Sequence, residues 1–261
     1  MYDYPFTVHS YEADPEGRLT LPALCAYMQE AAWHNAERMG AGVGRLGALG
    51  LAWVLHRLRI VLRGEARFGD ALTVSTWARR FDELVAYRDF EVRGAAGDLV
   101  AAATSRWVVV DLAARRLVRL PRFLGELPVP DRPPAAAGAD AVLSRAESLP
   151  FERRFAVRRR DLDTARHANH TRYVEWALET VPDDCWERCR PGSFEVVFRR
   201  EALYGDTVRS SAGVVAPPPP ASEPRMDGAR AFAHRLERDG DGEELAQAAS
   251  VWLPRNPGVG P

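Results

Sequence analysis

The segment 158–182 brings an acid and an imidazole close together in the chain. Asp163 precedes His167 by four positions, and a carboxylate at that spacing can hold the tautomer of an imidazole and raise its basicity. A second carboxylate, Glu201, follows in a strand-like run and could activate a water molecule. These residue types predict general acid–base chemistry that uses an activated water molecule.

Asn169 and His170 stand where this segment becomes helical. Asn is favoured at a helix N-cap, and the helical pattern HTRYVEWALET begins directly after Asn169, so we expect Asn169 to cap the helix. The backbone N–H groups at that helix start, beside Asn169, are candidates for binding an oxyanion. His170 lies in the first turn, where the helix dipole disfavours an imidazolium, so we expect it to be neutral.

The chain contains an internal repeat. Three blocks of the first half recur in the second half: Leu62–Asp70 in Phe198–Asp206, Ala101–Trp107 in Ala246–Trp252, and the residues around Asp14 in those around Asp163. Self-similarity of this kind indicates one fold unit that has been duplicated.

The repeat also distinguishes the two halves chemically. Both acids have counterparts in the first half: Asp14 for Asp163 and Glu65 for Glu201. The imidazole has none, because Arg18 stands opposite His167. An arginine cannot deprotonate to act as a base. We therefore expect the first unit to be chemically inert and the second unit to carry the site.

Each unit reads as one helix followed by several strands. In the first unit, apolar residues recur at helical spacing between Thr20, a suitable N-cap, and Gly40, which ends the segment. Runs rich in aromatic and β-branched residues then alternate with turn signals, as is typical of antiparallel strands. The second unit repeats this order with a shorter helix. The predicted fold class is α+β, with one helix on a curved antiparallel sheet, twice.

The predicted units are residues 1–130 and 151–256. A linker rich in Pro, Ala and Gly joins them at 131–150, with the boundary near residue 140. Consecutive prolines within 216–228 predict an exposed loop, because proline cannot continue a ladder of backbone hydrogen bonds. Residues 257–261 are expected to form a tail.

Composition and cysteine usage narrow the class of protein. The balance of 35 basic against 36 acidic residues removes any global attraction to nucleic acid, and no apolar stretch is long enough to cross a membrane. Three cysteines without C-x-x-C spacing, Cys25, Cys185 and Cys189, predict neither a disulfide framework nor a zinc site. Cys185 and Cys189 are expected to pack on one helix face. We expect a cytoplasmic protein.

The segment from Asp161 to Pro182 resembles the motif of the acyl-acyl carrier protein (acyl-ACP) thioesterases, approximately D-x-D-x-N-x-H-x-N-N-x-x-Y-x-x-W-x-x-E-x-x-P. The first half is similar to the N-terminal domain of that family at LAWVLHRLRI, YRDFEV and ATSRWVVVDL, and over the predicted helix. The resemblance covers most of the chain, excluding the linker and the tail.

The resemblance implies a bacterial-type double hotdog fold that hydrolyses a fatty acyl thioester on acyl carrier protein, without a metal or cofactor. It assigns the catalytic roles to Asp163, His167 and Glu201, and it places an acyl tunnel beside the helix of the first unit. A monomer or a homodimer is expected, because a double hotdog already contains the pairing that single hotdogs obtain by dimerising. An arginine cluster could meet the acidic carrier protein or be simply solvated: Arg153, Arg154, Arg158, Arg159 and Arg160.

Two positions depart from the family pattern. Ala165 replaces the Asn between the Asp and the His, and a methyl group cannot replace the hydrogen bonds of an amide. Ala202 replaces the Cys that commonly follows the strand glutamate, which excludes a cysteine nucleophile there.

Other functions share this fold. An acyl-CoA thioesterase would prefer CoA substrates, whereas a weakened acyl-binding protein would release no thiol and would explain Ala165 simply. A dehydratase would carry a Pro-Gly turn after its His, but Ala168 and Asn169 follow His167. Water activation by Glu201 is favoured, and attack by a carboxylate through an anhydride stays open.

Overall fold

The computed structural model describes residues 1–136, 138, 142–217 and 228–255. The chain divides into two units, Met1–Ala139 (unit 1) and Asp140–Pro261 (unit 2). Within those described ranges, no helix combines the length and the apolar character needed to cross a membrane.

Unit 1 contains one long helix, α1 (Leu21–Arg38). Thr20 caps its start, with Oγ1 accepting a hydrogen bond from the N–H of Ala23 at 3.4 Å. The chain leaves the helix through Gly40, whose φ of +66° suits a residue without Cβ. The buried face carries Leu21, Leu24, Cys25, Tyr27, Met28, Ala31, Ala32 and Asn35. The predicted helix and its cap are confirmed.

The remainder of unit 1 is an antiparallel sheet with two short helices. The elements are α2 (Val43–Ala48), β1 (Tyr2–Thr7), β2 (Leu51–Leu62), β3 (Ala71–Phe81), β4 (Ala86–Gly94), β5 (Leu99–Asp111), β6 (Arg116–Val118) and α3 (Arg122–Gly125). The strand order is β1-β3-β4-β5-β2, with β6 paired to β5. Helix α1 packs against β1 and β3.

Unit 2 repeats this plan. Its elements are β7 (Phe151–Ala156), α4 (His170–Leu178), α5 (Asp183–Arg188), β8 (Cys189–Phe198), β9 (Thr207–Val215), β10 (Arg230–Arg238) and β11 (Glu244–Pro254). The strand order β7-β9-β10-β11-β8 is the order of unit 1 with each strand replaced by its counterpart. Helix α4 contacts β9, β10 and β11. The predicted duplication of a helix on an antiparallel sheet is confirmed.

Each unit has its own apolar core. Fully buried large side chains in unit 1 include Met28, Ile60, Trp77 and Phe90, and those in unit 2 include Trp176, Phe194, Phe232, Leu236 and Trp252. Burial of one such side chain contributes about 1.5–3 kcal/mol relative to its exposure. These cores fix the sheets and helices from which the loops of the site project.

The two cysteines near α5 are arranged differently from the sequence prediction. Cys185 and Cys189 do not share a helix face, because α5 ends at Arg188 and Cys189 begins β8. Both thiols are free and buried, and burial raises the pKa of Cys185 to about 12, so packing remains their role. Residues 218–227 of the predicted proline loop and the predicted tail at 257–261 lie outside the described residues.

Candidate active site

Two loops of unit 2 are joined through their backbones. The first is the hairpin 162–168, which precedes α4, and the second is the β8–β9 loop, residues 199–206. Across them, His167 forms an antiparallel bridge with Leu203, and the N–H of Ala168 donates to the carbonyl of Ala202 at 2.9 Å. The site is therefore built from two segments that are remote in sequence.

Asp163 holds the hairpin in shape. Its Oδ1 accepts hydrogen bonds from the N–H of Ala165 at 2.8 Å and the N–H of His167 at 3.2 Å. Arg166 at the turn adopts a left-handed φ of +65°, which a non-glycine residue rarely does. The prediction that the Asp163 carboxylate bonds to the His167 imidazole is wrong: among the described residues, Asp163 is bonded to the backbone of His167 and not to its ring. The carboxylate thus positions the histidine residue through its main chain.

Asn169 is the N-cap of α4, as predicted. Its Oδ1 accepts from the N–H of Thr171 at 3.0 Å and from the Thr171 hydroxyl at 2.9 Å. The N–H of His170 makes no hydrogen bond to any described residue, so it is the backbone donor left over at this helix start. Burial lowers the pKa of the His170 imidazole to about 4, a direction that favours the neutral form predicted for this residue.

The prediction of a strand position for Glu201 is wrong. Strand β8 ends at Phe198, so Glu201 lies in the β8–β9 loop, where the backbone leaves the ladder. The pairing of the two loops reaches Ala202, whose carbonyl accepts from the N–H of Ala168 and whose own N–H donates to the Tyr173 hydroxyl. Glu201 therefore lies one residue beyond the paired positions, and its grouping with His167 and Asn169 stays a prediction.

Sequence reasoning assigned no role to Tyr173, which contacts this same loop. The Tyr173 hydroxyl donates to the carbonyl of Arg200 at 3.2 Å and accepts from the N–H of Ala202 at 2.8 Å. These are the two neighbours of Glu201 in the chain. The repeat contained a signal for Tyr173: the equivalent position in the first unit is Leu24, so the hydroxyl occurs only in the unit that keeps the imidazole.

Unit 1 builds the same pair of loops. Asp14 Oδ1 accepts from the N–H of Arg18 at 2.8 Å, and the N–H of Leu19 donates to the carbonyl of Ala66 at 2.8 Å. Arg18 bridges Arg67, as His167 bridges Leu203. The guanidinium of Arg18 binds Asp14 Oδ2 at 2.9 Å. Unit 1 therefore has an ion-paired arginine at the position where unit 2 has the imidazole of His167.

Other features of the structure do not point to a cofactor. Within the described ranges, no group of three or more His, Cys, Asp or Glu side chains is arranged to hold a metal ion. Two cavities in unit 2, of about 370 and 190 Å³, lie against residues 143–149 and strands β7, β9, β10 and β11. Neither is lined by Asp163, His167, Asn169 or Glu201, so the acyl-binding residues stay undefined.

Known proteins resemble this chain along nearly its whole length. A dodecanoyl-acyl-carrier-protein hydrolase of Cinnamomum camphora is 27% identical over 96% of this chain and 67% of its own length. An acyl-acyl-carrier-protein hydrolase of Cuphea viscosissima is 24% identical over 98% of this chain and 62% of its own length. The chain thus spans about two thirds of the length of these relatives.

Comparison with solved structures and domain families leads to the same group. The 12:0-ACP thioesterase from Umbellularia californica superposes with a TM-score of 0.83 at 25% identity, over 97% of this chain and 94% of that one. This similarity confirms the double hotdog fold. Residues 1–124 match the acyl-ACP thioesterase N-terminal domain, and residues 144–254 match the acyl-ACP thioesterase C-terminal domain. The chain therefore belongs to the acyl-ACP thioesterase family.

Proposed function

We propose that this chain hydrolyses the thioester of an acyl-acyl carrier protein and releases a free fatty acid, and that unit 2 carries the reaction. One observation carries the proposal of the site. Both units hold the same two loops together by the same backbone bonds, but only in unit 2 does the bridging residue of the first loop carry an imidazole, that of His167. The equivalent position in unit 1 is occupied by Arg18 in an ion pair.

The proposed reaction is general-base hydrolysis. The carboxylate of Glu201 accepts a proton from a water molecule, whose oxygen attacks the carbonyl carbon of the thioester. The tetrahedral intermediate then collapses, the carbon–sulfur bond breaks, and the thiolate takes the proton back from the acid that Glu201 has become. His167 polarises the thioester carbonyl, and Asp163 holds the backbone of His167 in place.

The start of α4 is suited to stabilise the oxyanion of this intermediate. A helix N-terminus presents unpaired N–H donors and a positive dipole end. Asn169 already occupies the N–H of Thr171, which leaves the N–H of His170 as the available donor. Loss of one such donor costs about 100- to 1000-fold in rate in other enzymes.

Arginine side chains next to the site favour acyl carrier protein as the molecule whose thiol carries the acyl group. Of the predicted cluster, three members already pair with carboxylates: Arg153, Arg154 and Arg158. Arg159 instead stacks on Tyr204, 4.6 Å from the ring centre, and Arg160 forms no ion pair within the described residues. Arg166 at the hairpin tip is likewise exposed without a described carboxylate partner. These three guanidinium groups remain available to an acidic partner.

The test is thiol release from one acyl group carried on acyl carrier protein and on CoA. We expect turnover on the carrier-protein substrate, and a loss of roughly 10²–10⁴-fold in His167→Ala and in Glu201→Gln, the range for a positioned acid or base. Reversing Arg159 and Arg160 to Glu should raise KM for the carrier-protein substrate only. Arg116→Glu combined with Arg122→Glu, at two exposed arginines of unit 1, is the matched control for the double charge reversal.

The alternatives predict different outcomes of the same assay. Binding of acyl thioesters without thiol release would identify an acyl-binding protein, and a preference for CoA would identify an acyl-CoA thioesterase. A silent Glu201→Gln would withdraw that residue from the reaction. The cytoplasmic location and the monomeric or dimeric state stay predictions, and the free state of all three cysteines supports a reducing compartment.

A further inference from the structure

The phenol of Tyr173 is fixed by its surroundings. The ring is buried, and it lies against Trp176 at 5.5 Å and against Phe198 at 5.5 Å between ring centres. The edge of Phe198 in turn faces His170. Because Tyr173 belongs to α4 and Phe198 ends β8, the hydroxyl is held at the point where the β8–β9 loop begins.

The Tyr173 hydroxyl bonds to the backbone of both residues that flank Glu201 in the chain. It donates to the carbonyl that precedes Glu201, at 3.2 Å, and accepts from the N–H that follows it, at 2.8 Å. The acceptor bond satisfies the N–H of Ala202, a residue with no exposed surface. A single side chain therefore restrains the backbone on both sides of Glu201.

The protonation state of Tyr173 suits this role. Burial above all, with a contribution from the charge of Glu201, raises the pKa of the Tyr173 hydroxyl well above its usual value. The hydroxyl consequently keeps its proton and remains a donor throughout the pH range in which a hydrolase works.

We propose that Tyr173 is a positioning residue that sets the placement of the Glu201 carboxylate by clamping the residues before and after it. The inference rests on the proposed function, in which Glu201 activates water. The duplication supplies an internal comparison: unit 1 carries Leu24 at the position equivalent to Tyr173, and Arg18 at the position equivalent to His167. The clamp thus occurs in the unit that keeps the imidazole.

The test is a double-mutant comparison of Tyr173→Phe with Glu201→Gln. The Phe variant keeps the ring and removes both hydrogen bonds. We expect kcat on an acyl-ACP substrate to fall roughly 10- to 100-fold with KM unchanged, since a misplacement of about 1 Å can cost that much. In the Glu201→Gln background the same change should cost less than about threefold, because the group it positions is already disabled.

Thr180→Val is the matched control, because the Thr180 hydroxyl is likewise buried in unit 2 and bonds to the backbone carbonyls of Trp176 at 3.1 Å and Ala177 at 2.7 Å. Its kcat should match the wild type. A Tyr173→Phe effect that multiplies fully with Glu201→Gln would overturn the clamp, as would a silent Tyr173→Phe. An inactive wild type or a silent Glu201→Gln would instead reject the proposed function itself.

A measurement on the unmodified protein tests the clamp without any variant. The amide of Ala202 should be protected from hydrogen exchange, because its acceptor is a buried phenol. Exchange at the rate of an open loop amide would show that the bond is not held in solution, and it would overturn the proposal even if Tyr173→Phe failed to fold.

Discussion

Units 1 and 2 share a backbone framework and differ in the side chains that it presents. In both, an aspartate oxygen accepts from the hairpin backbone, Asp14 in unit 1 and Asp163 in unit 2. In both, a glycine with φ near +90°, Gly69 or Gly205, turns the second loop. One difference lies at the bridging position of the first loop: Arg18 in unit 1 and His167 in unit 2.

The comparison separates the structural role of the acid from a chemical one. Asp14 shapes its hairpin in a unit that has Arg18 where unit 2 has His167, so an aspartate at this position is explained by loop geometry alone. What marks unit 2 as the reactive unit is the imidazole together with the hydroxyl of Tyr173, which unit 1 replaces by Leu24. A motif residue present in both copies of a duplication is therefore weak evidence for catalysis.

The largest expected effect comes from making unit 2 a copy of unit 1. His167→Arg should allow the new guanidinium to bind Asp163 as Arg18 binds Asp14, at 2.9 Å in unit 1. We expect a folded protein whose thioester hydrolysis has fallen roughly 10²–10⁴-fold. Thiol release and thermal unfolding measure the two effects, and a variant that is stable and still fully active would contradict the assignment of His167.

The next effect concerns the missing amide of the family motif. Ala165 is exposed and only its N–H is engaged, so Ala165→Asn adds an amide without displacing a buried group. One oriented hydrogen bond strengthened in the transition state is worth about 1–3 kcal/mol, or roughly a 10- to 100-fold gain in kcat. Single-turnover kinetics measure it, with Glu16→Asn at the equivalent position of unit 1 as the control. If the folded variant is not accelerated, the site does not need an amide at position 165.

A third prediction compares the cores at pH 5. His234 pairs with Ala248 across its sheet, as Phe90 pairs with Ala103 in unit 1, and burial lowers the pKa of His234 to about 3. Between that value and the unfolded pKa of about 6.5 the unfolded chain binds more protons, so stability is lost as the pH falls below about 6.5.

His234→Phe should remove this pH dependence. At pH 5 the wild type should have lost about 2 kcal/mol of unfolding free energy through His234, and the Phe variant should lose none of that portion. Ser250 keeps a partner in both proteins, because Trp252 Nε1 donates to its hydroxyl at 2.9 Å. Denaturant unfolding at pH 8 and pH 5 measures the difference, and parallel pH profiles for the two proteins would refute it.

The smallest effect is expected from the acids of unit 1. Asp14→Asn keeps an oxygen for the hairpin backbone and weakens only the partly exposed pair with Arg18, at a cost below about 1 kcal/mol. Glu65→Gln should be equally mild. Neither variant should change kcat, because unit 1 has Arg18 at the position where unit 2 has His167. A loss in either as deep as that of Glu201→Gln would show that the active unit had been misassigned.

Local rules predicted much of the fold from the sequence. Helix α1 follows from apolar spacing between Thr20 and Gly40, and the capping role of Asn169 follows from its place before a helical pattern. The duplication was readable because blocks of similar sequence recur in the same order. Each of these signals depends on residues close in the chain, where propensity and capping act directly.

The sequence by itself determined the duplicated helix-on-sheet plan, the residue types of the site and the unit that keeps the imidazole. Only the tertiary structure decided how those residues meet. It ended β8 at Phe198, placed Glu201 in a loop, and brought Ala202 against Ala168 and Tyr173. Such bonds join positions remote in sequence, and strand ends depend on which neighbour satisfies each backbone group. A local sequence pattern therefore does not predict where β8 ends or which backbone groups pair.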